Sequence, residues 1–146
     1  MPKSNHTMVS KSPEETAKLA ATIAKNNQKG GLICLFGDLG SGKTTFTKGF
    51  MKELGIDNFS VKSPTYTYVR EYKHPKTKIY HIDLYRLDNV DELLVEEIQE
   101  ILDNKKNIVV IEWADKLEGH LSHGKKTQIN FKYLDEESRE ITVHHE

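Results

Sequence analysis

The segment Gly37-Asp38-Leu39-Gly40-Ser41-Gly42-Lys43-Thr44 decides the fold of this 146-residue chain. It fits G-x-x-x-x-G-K-[ST], a loop whose glycines let backbone N–H groups approach phosphate oxygens without a Cβ in the way. Lys43 carries a positive charge to the β- and γ-phosphates of a nucleotide, and the Thr44 hydroxyl is placed to hold Mg²⁺. The segment, extended by Thr45, therefore predicts a nucleotide-binding P-loop.

Both flanks of this loop have the pattern that a P-loop requires, which is a strand before it and a helix after it. Residues 32–36 form a continuous apolar run of strand length, as in a buried parallel strand. Residues 45–54 repeat apolar side chains at helical spacing, and Gly55 is a natural C-terminal stop. A helix that begins here aims its first N–H groups and the positive end of its dipole at the phosphates.

Composition and charge limit the classes of protein to which the chain can belong. The length suits a single domain, residues 1–146, and no apolar run approaches membrane-spanning length. The formal net charge of −1 gives the chain no electrostatic means of gripping nucleic acid by itself. The single cysteine, Cys34, cannot form an internal disulfide. Because no segment has the form of a signal peptide, we expect a cytoplasmic protein without a membrane or DNA partner.

The elements around the P-loop predict an α/β fold with a mixed sheet. Ser12-Pro13-Glu14-Glu15 is a capping-box helix start, and its helix should run to about residue 27. Alternating residues at 66–72 and 78–84 surround turn residues at 74–77. This pattern predicts a β-hairpin directly after the first P-loop helix, which departs from a plain succession of βαβ units.

The rest of the chain adds elements at both ends of the sheet. Asp88 or Asn89 can cap a helix that runs to about residue 104, with a shift in apolar spacing near Val95 that allows a break. Short or alternating strands are predicted at 7–9, 107–113, 127–133 and 138–144. Together these elements predict a P-loop NTPase-like three-layer fold, with a mixed central sheet and C-terminal antiparallel strands.

An acid follows the apolar run 108–111, at the place where P-loop proteins usually carry the residue that manages Mg²⁺. This acid is Glu112, a glutamate in place of the usual aspartate. The alternative is an ordinary exposed glutamate at a strand end. Trp113, beside it, is either a core residue or a contact for the nucleotide or for a partner.

Two further side chains are candidates for the site, each with a structural alternative. Asp83 shares a strand face with His81, so it can bind Mg²⁺ through water or orient the attacking water. It can equally be a surface carboxylate paired with Arg86. Thr65 lies where a switch loop places a hydroxyl for Mg²⁺ and the γ-phosphate, but it also suits the start of a strand after Pro64.

Taken together, these motifs resemble the TsaE family, which comprises small bacterial P-loop ATPases needed to make N6-threonylcarbamoyladenosine (t6A) on tRNA. The order and spacing agree over about residues 12–116, and the C-terminal strands match only loosely. Beyond the helix start and the P-loop, the matching blocks are Ser63-Pro64-Thr65-Tyr66-Thr67, His81-x-Asp83-Leu84-Tyr85-Arg86-Leu87 and Ile111-Glu112-Trp113. The chain departs from the family's pattern at Ala114-Asp115, where the family often has Pro-Glu.

The resemblance implies a role for each candidate side chain. The implied catalytic residues are Lys43, Thr65, Asp83 and Glu112. The implied Mg²⁺ ligands are Thr44, Glu112 and Asp83, with Trp113 near the nucleotide. The resemblance also implies that the chain docks on the TsaD–TsaB pair, and that tRNA is engaged only indirectly through that complex.

The sequence therefore predicts a Mg²⁺-dependent ATPase that is slow by itself, because no arginine is placed as a charge-neutralising finger. Arg86 is the best internal candidate for that finger, and a partner can supply one. A small-molecule kinase is the first alternative, although only Arg139 is available beyond Asp88 for an arginine-bearing lid. A non-catalytic nucleotide-sensing module is the second. A GTPase is disfavoured, since residues 104–107 lack the acid of N-K-x-D.

Overall fold

The computed structural model describes residues 4–38, 40–56, 69–85, 87–117, 119–120 and 125–146. Its strands are β1 (Ser4–Ser10), β2 (Gly31–Phe36), β3 (Val69–Lys73), β4 (Lys78–Asp83), β5 (Ile108–Glu112), β6 (Thr127–Tyr133) and β7 (Arg139–His145). Its helices are α1 (Pro13–Asn26), α2 (Lys43–Glu53) and α3 (Glu92–Asp103), with a 3₁₀ turn at Ala114–Leu117. No helix in these ranges is long and apolar enough to cross a membrane.

The described strands form one mixed sheet in the order β1-β7-β6-β2-β5-β4-β3. The P-loop strand β2 lies at its centre and pairs in parallel with β5 on one side and β6 on the other. β4 continues the parallel part beyond β5, while β3, β7 and β1 pair antiparallel. The predicted mixed sheet and the predicted hairpin after the P-loop helix are both confirmed. The carboxyl ends of β2, β4, β5 and β6 therefore meet at one edge, where α/β proteins bind ligands.

Helices α1 and α2 cover one face of the sheet. Phe46 and Phe50 of α2 are fully buried there, in a core shared with β2, β4, β5, β6 and β7. The two helices approach closely at Gly49, since a Cβ built on it would lie 2.8 Å from the Cα of Ala17. Val110 of β5 belongs to the same core. Glu112, two residues further along β5, therefore points to the face that carries α2.

Helix α3 covers the opposite face, and it begins later than the sequence indicated. Its N-cap is Asp91, whose Oδ1 accepts a hydrogen bond of 2.8 Å from the Leu94 backbone N–H. The predicted caps at Asp88 and Asn89 are wrong because the chain only bends at these two residues, and Val90 packs against the core of this face before the helix begins. The helix is continuous across Val95, so the shift in apolar spacing there does not break it.

Two N-terminal details sharpen the sequence prediction. Ser12 caps α1 as expected, because its Oγ accepts a hydrogen bond of 3.1 Å from the Glu15 N–H. The Glu15 carboxylate, however, accepts from the N–H of Lys11 at 2.7 Å rather than from the cap residue. The short strand predicted at 7–9 extends over Ser4–Ser10, because β7 offers it a full antiparallel partner.

Candidate functional site

The P-loop leaves the end of β2 through a turn that only glycine can make. Gly37 has φ +147°, and a Cβ on it would lie 2.7 Å from the Ser41 Oγ and 2.8 Å from the Phe131 carbonyl oxygen. Gly42 then stands at the N-cap of α2 without any side-chain cap. The first backbone N–H groups of α2 are consequently left to a ligand, which is the arrangement that binds phosphate.

Lys43 is folded against its own loop. Its side chain is 5% exposed, and its Nζ donates to the carbonyl oxygens of Gly37 and, at 3.0 Å, Asp38. The same ammonium lies 4.0 Å from the centroid of the Trp113 ring, within the range of a cation–π contact. All of these partners are neutral acceptors or a π face, so a phosphate oxygen can replace them with a charge-assisted bond.

Acidic side chains gather around this ammonium. Burial lowers the pKa of Lys43, and neighbouring carboxylates oppose that shift by stabilising the charged form. Those carboxylates, in decreasing order of effect, belong to Glu112, Asp83, Asp38 and Asp115. Glu112 and Asp83 reach the site together because they are register partners at the ends of β5 and β4. Asp115, which lies in the 3₁₀ turn, was noted in the sequence only as a departure from the family's pattern.

Glu112 is held by a buried histidine. His81 and Glu112 are 1% and 3% exposed, and His81 Nε2 shares a hydrogen bond of 2.5 Å with Glu112 Oε2. The other ring nitrogen, Nδ1, is buried and has no hydrogen-bond partner among the described residues. Glu112 is thus buried and hydrogen-bonded, so the structural alternative of an ordinary exposed glutamate is wrong. The sequence placed His81 and Asp83 on one strand face but did not predict the bond to Glu112.

Asp83 ends β4 and is followed by a turn that the side chain of Lys116 stabilises. Asp83 Oδ1 accepts a hydrogen bond of 3.0 Å from the Tyr85 N–H. Lys116 Nζ donates to the carbonyl oxygens of Leu84 and Tyr85 at 2.8 Å each, and also to that of Leu87. One side chain thereby ties the segment after β4 to the 3₁₀ turn after β5. This tie fixes the path of the backbone on which Asp83 sits.

Trp113 joins the two acid-bearing strand ends. Its φ of +60° lies in the left-handed region, which costs a non-glycine residue about 1–2 kcal/mol. Its ring contacts the Tyr85 ring, with the centroids 5.1 Å apart, as well as the Lys43 ammonium. The strained backbone turns the indole across the site, so Trp113 contacts the P-loop lysine rather than packing wholly within the core.

Hydroxyl-bearing residues precede and follow Lys43 in the sequence of the loop. Thr44 is exposed and Thr45 is half-buried in the first turn of α2. Ser41 Oγ is buried and has no hydrogen-bond partner among the described residues. Three of the candidate site residues, namely Leu39, Thr65 and Arg86, lie outside the described residues. The rest of the matching block at 63–67 and the first part of the strand predicted at 66–72 lie outside them as well.

Sequence reasoning missed one side chain at the loop, Arg139 of β7. Its Nε donates a hydrogen bond of 3.2 Å to the carbonyl oxygen of Gly40. Its Cγ is also 3.7 Å from the position that a Cβ on Gly42 would occupy. Nothing in the local sequence marks this arginine. Only the pairing of β7 with β6, and of β6 with the P-loop strand, brings it to the loop.

Comparison with known proteins gives a consistent result. The family described as threonylcarbamoyl adenosine biosynthesis protein TsaE matches residues 10–141. A tRNA threonylcarbamoyladenosine biosynthesis protein TsaE of Bacillus subtilis is 39% identical over 130 residues, which is 89% of this chain and 79% of that protein. A protein of the same name from Rickettsia prowazekii is 35% identical over 141 residues, covering 97% of this chain and 94% of the relative.

A solved structure extends the similarity to three dimensions. The crystal structure of Bacillus subtilis YdiB superposes with a TM-score of 0.72 at 32% sequence identity. The superposition covers 99% of this chain and 88% of that one. Both the sequence and the fold are therefore similar over nearly the whole length.

Proposed function

The chain belongs to the TsaE family of threonylcarbamoyladenosine biosynthesis proteins, and from this premise we propose that it hydrolyses ATP with Mg²⁺ in support of tRNA modification. One observation carries the proposal: Lys43 is buried between the P-loop carbonyls and the Trp113 ring, with Glu112 and Asp83 nearby. A phosphate-binding cation beside two acids is the arrangement that phosphoryl transfer to water requires.

The P-loop residues would bind the nucleotide and stabilise the charge of the transition state. Backbone N–H groups from Gly40 to Thr44 would surround the phosphates. Lys43 would exchange the carbonyl oxygens of Gly37 and Asp38 for phosphate oxygens. Because this site is partly closed to water, each such contact acts in a lower dielectric and is stronger than in solution.

The residues present suit a magnesium ion. Thr44 presents an exposed hydroxyl at the start of α2, and Glu112 and Asp83 add carboxylates, which are the oxygen ligands that Mg²⁺ prefers. Among the described residues, no group of three or more His, Cys, Asp or Glu side chains is gathered as an ion site. Phosphate oxygens and water would therefore complete the shell. Bound Mg²⁺ would neutralise charge on the β- and γ-phosphates.

The acids would also orient the attacking water. Glu112, fixed by His81, is suited to hold a ligand in one place, directly or through water. Asp83 lies opposite it in register and is suited to accept a hydrogen bond from the water that attacks the γ-phosphate. Thr65 is the other candidate for positioning that water. We expect slow turnover by the isolated chain.

A partner complex would control this activity. We propose that the chain docks on the TsaD–TsaB pair, and that tRNA is bound by that complex rather than by this chain. The formal net charge of −1 supports this division, because the chain has no overall excess of positive charge to attract an RNA backbone. A small-molecule kinase finds less support, because Arg139 is hydrogen-bonded to the P-loop backbone instead of lying on a lid.

The test is phosphate release from ATP and Mg²⁺, measured first for this chain alone and then with purified TsaD and TsaB. The proposal predicts a slow rate that rises when the pair is added. Tight ATP binding without phosphate release, with or without the pair, would contradict hydrolysis and favour a nucleotide-sensing module. A rate that the pair leaves unchanged would contradict the partner assignment while leaving the ATPase intact.

A further inference from the structure

The P-loop has two different flanks. The acid side, defined by His81, Asp83, Glu112 and Trp113, lies toward β5 and β4. The hairpin side, defined by Tyr133 and Arg139, lies toward β6 and β7. Since the transferred γ-phosphate must lie near the acids, the rest of a nucleotide has to extend away from them. The hairpin side is where its nucleoside would arrive.

The hairpin side presents a partly open aromatic surface. Tyr133 and Arg139 are cross-strand partners at the end of the β6–β7 pair. The Arg139 guanidinium lies over the Tyr133 ring, with 4.6 Å between Cζ and the ring centroid. Tyr133 is 53% exposed, which is unusual for so large an aromatic side chain in a small protein. A cation–π pair with a half-exposed aromatic ring therefore lies beside the P-loop.

Backbone contacts fix the arginine in this position. Besides its bond to Gly40, Arg139 donates through Nη1 to the carbonyl oxygens of Asp135 and Ser138, at 2.5 and 2.9 Å. The turn that carries these carbonyls is itself ordered, because Asp135 Oδ1 accepts from the N–H groups of Glu137 and Ser138. The guanidinium plane is thus held before any ligand arrives, so a ligand that stacks on it need not order it.

From this geometry, and resting on the ATPase function proposed above, we propose that Tyr133 and Arg139 form the nucleoside subsite. The nucleobase extends the stack that the guanidinium and the phenol ring begin. Aromatic rings and guanidinium planes are the surfaces on which proteins stack unpaired bases. The bond from Arg139 to Gly40 connects this subsite to the phosphate-binding loop, so the base and the phosphates are positioned by one continuous structure.

The rival explanation is that the hairpin only supports the P-loop. In that case its removal would disturb phosphate binding as much as nucleotide binding. Inorganic tripolyphosphate separates the two explanations, because it offers the phosphates of ATP without the nucleoside. The experiment measures the dissociation constants of ATP and of tripolyphosphate, both with Mg²⁺, for the full chain and its variants by calorimetry.

The subsite predicts that Tyr133→Ala weakens ATP binding about tenfold and leaves tripolyphosphate binding unchanged. Tyr133→Phe keeps the ring and should bind ATP as the unaltered chain does. Tyr133→Leu keeps apolar bulk without an aromatic face, and should behave like Tyr133→Ala. Lys132→Ala is the matched control, since Lys132 is exposed on the same strand and points to the other face.

Equal losses for ATP and tripolyphosphate in Tyr133→Ala and Tyr133→Leu would overturn the subsite and leave only a supporting hairpin. Unchanged ATP binding in both variants would overturn it as well. If the unaltered chain bound neither ligand, the proposed ATPase function would fail, and the subsite with it. If the unaltered chain binds ATP but the variants contradict the subsite, the ATPase proposal still stands. The two failures are therefore distinguishable.

Discussion

The acid side and the hairpin side of the P-loop are built in opposite ways. On the acid side, His81 and Glu112 are almost completely buried and bond to each other. On the hairpin side, Tyr133 is half-exposed, and Arg139 is held by backbone carbonyls, by that ring and by the charge of Asp135. Buried, paired polar groups fix the position of a reacting atom, whereas an open flat surface admits a ligand and releases it. We therefore propose that the acid side carries the chemistry and the hairpin side recognises the nucleotide.

The largest effect should come from the residue that stands between the two sides. Lys43→Ala removes the cation that neutralises phosphate charge, so ATP hydrolysis should fall by at least about 100-fold. Phosphate release in the presence of the partners measures it. Lys52→Ala, an exposed lysine in the last turn of the same helix, is the control and should retain activity. Substantial hydrolysis by Lys43→Ala would contradict a P-loop mechanism.

The next effect tests the acid side alone. Glu112→Gln keeps the shape of the side chain and an oxygen for His81, but it removes the negative charge. We expect kcat to fall about 100-fold, since a positioned acid or base contributes on that order. Glu100→Gln, an exposed glutamate on α3, is the control. A kcat close to that of the unaltered chain would show that Glu112 has no part in turnover.

A smaller effect tests how the acid side is positioned. Lys116→Ala removes three hydrogen bonds to the carbonyl oxygens that follow β4, so Asp83 should be less well placed. We expect kcat to fall about fivefold with little change in ATP affinity, because a misplaced group costs less than an absent one. Lys18→Ala, on the exposed part of α1, serves as control. A loss of ATP affinity with unchanged kcat would contradict a positioning role.

The sequence predicts the P-loop and the acid side better than it predicts the hairpin side. The P-loop and Glu112 were predictable because a local motif and a strand end mark them. The bond between Arg139 and Gly40 was not, because it joins residues 99 positions apart and depends on which strand lies beside β2. The buried pair of His81 and Glu112 was predictable only in part. Alternation placed His81 on the correct face, but only the parallel register of β4 and β5 brings it to Glu112.

The smallest expected effect concerns the reactivity of Cys34 in β2, the central strand that lies between the acid side and the hairpin side. Burial raises the pKa of the Cys34 thiol to about 12, and the Lys126 charge acts in the opposite direction. The thiolate that reacts with iodoacetamide is therefore almost absent at pH 8 in the folded chain. We expect no labelling until denaturant unfolds the protein, whereupon the thiol should react fully. Mass spectrometry measures the labelled fraction. Complete labelling of the folded chain would show that β2 opens to solvent and would contradict the prediction.

The division of labour between the two sides is tested most directly by separating turnover from binding in two variants. In the complex with the partners, kcat and the Kd of ATP with Mg²⁺ are measured for Glu112→Gln and for Tyr133→Ala. We predict that Glu112→Gln lowers kcat about 100-fold with little change in Kd, and that Tyr133→Ala raises Kd about tenfold with little change in kcat. If both variants lowered kcat alone, or both raised Kd alone, the two sides would share one role and the division would be wrong.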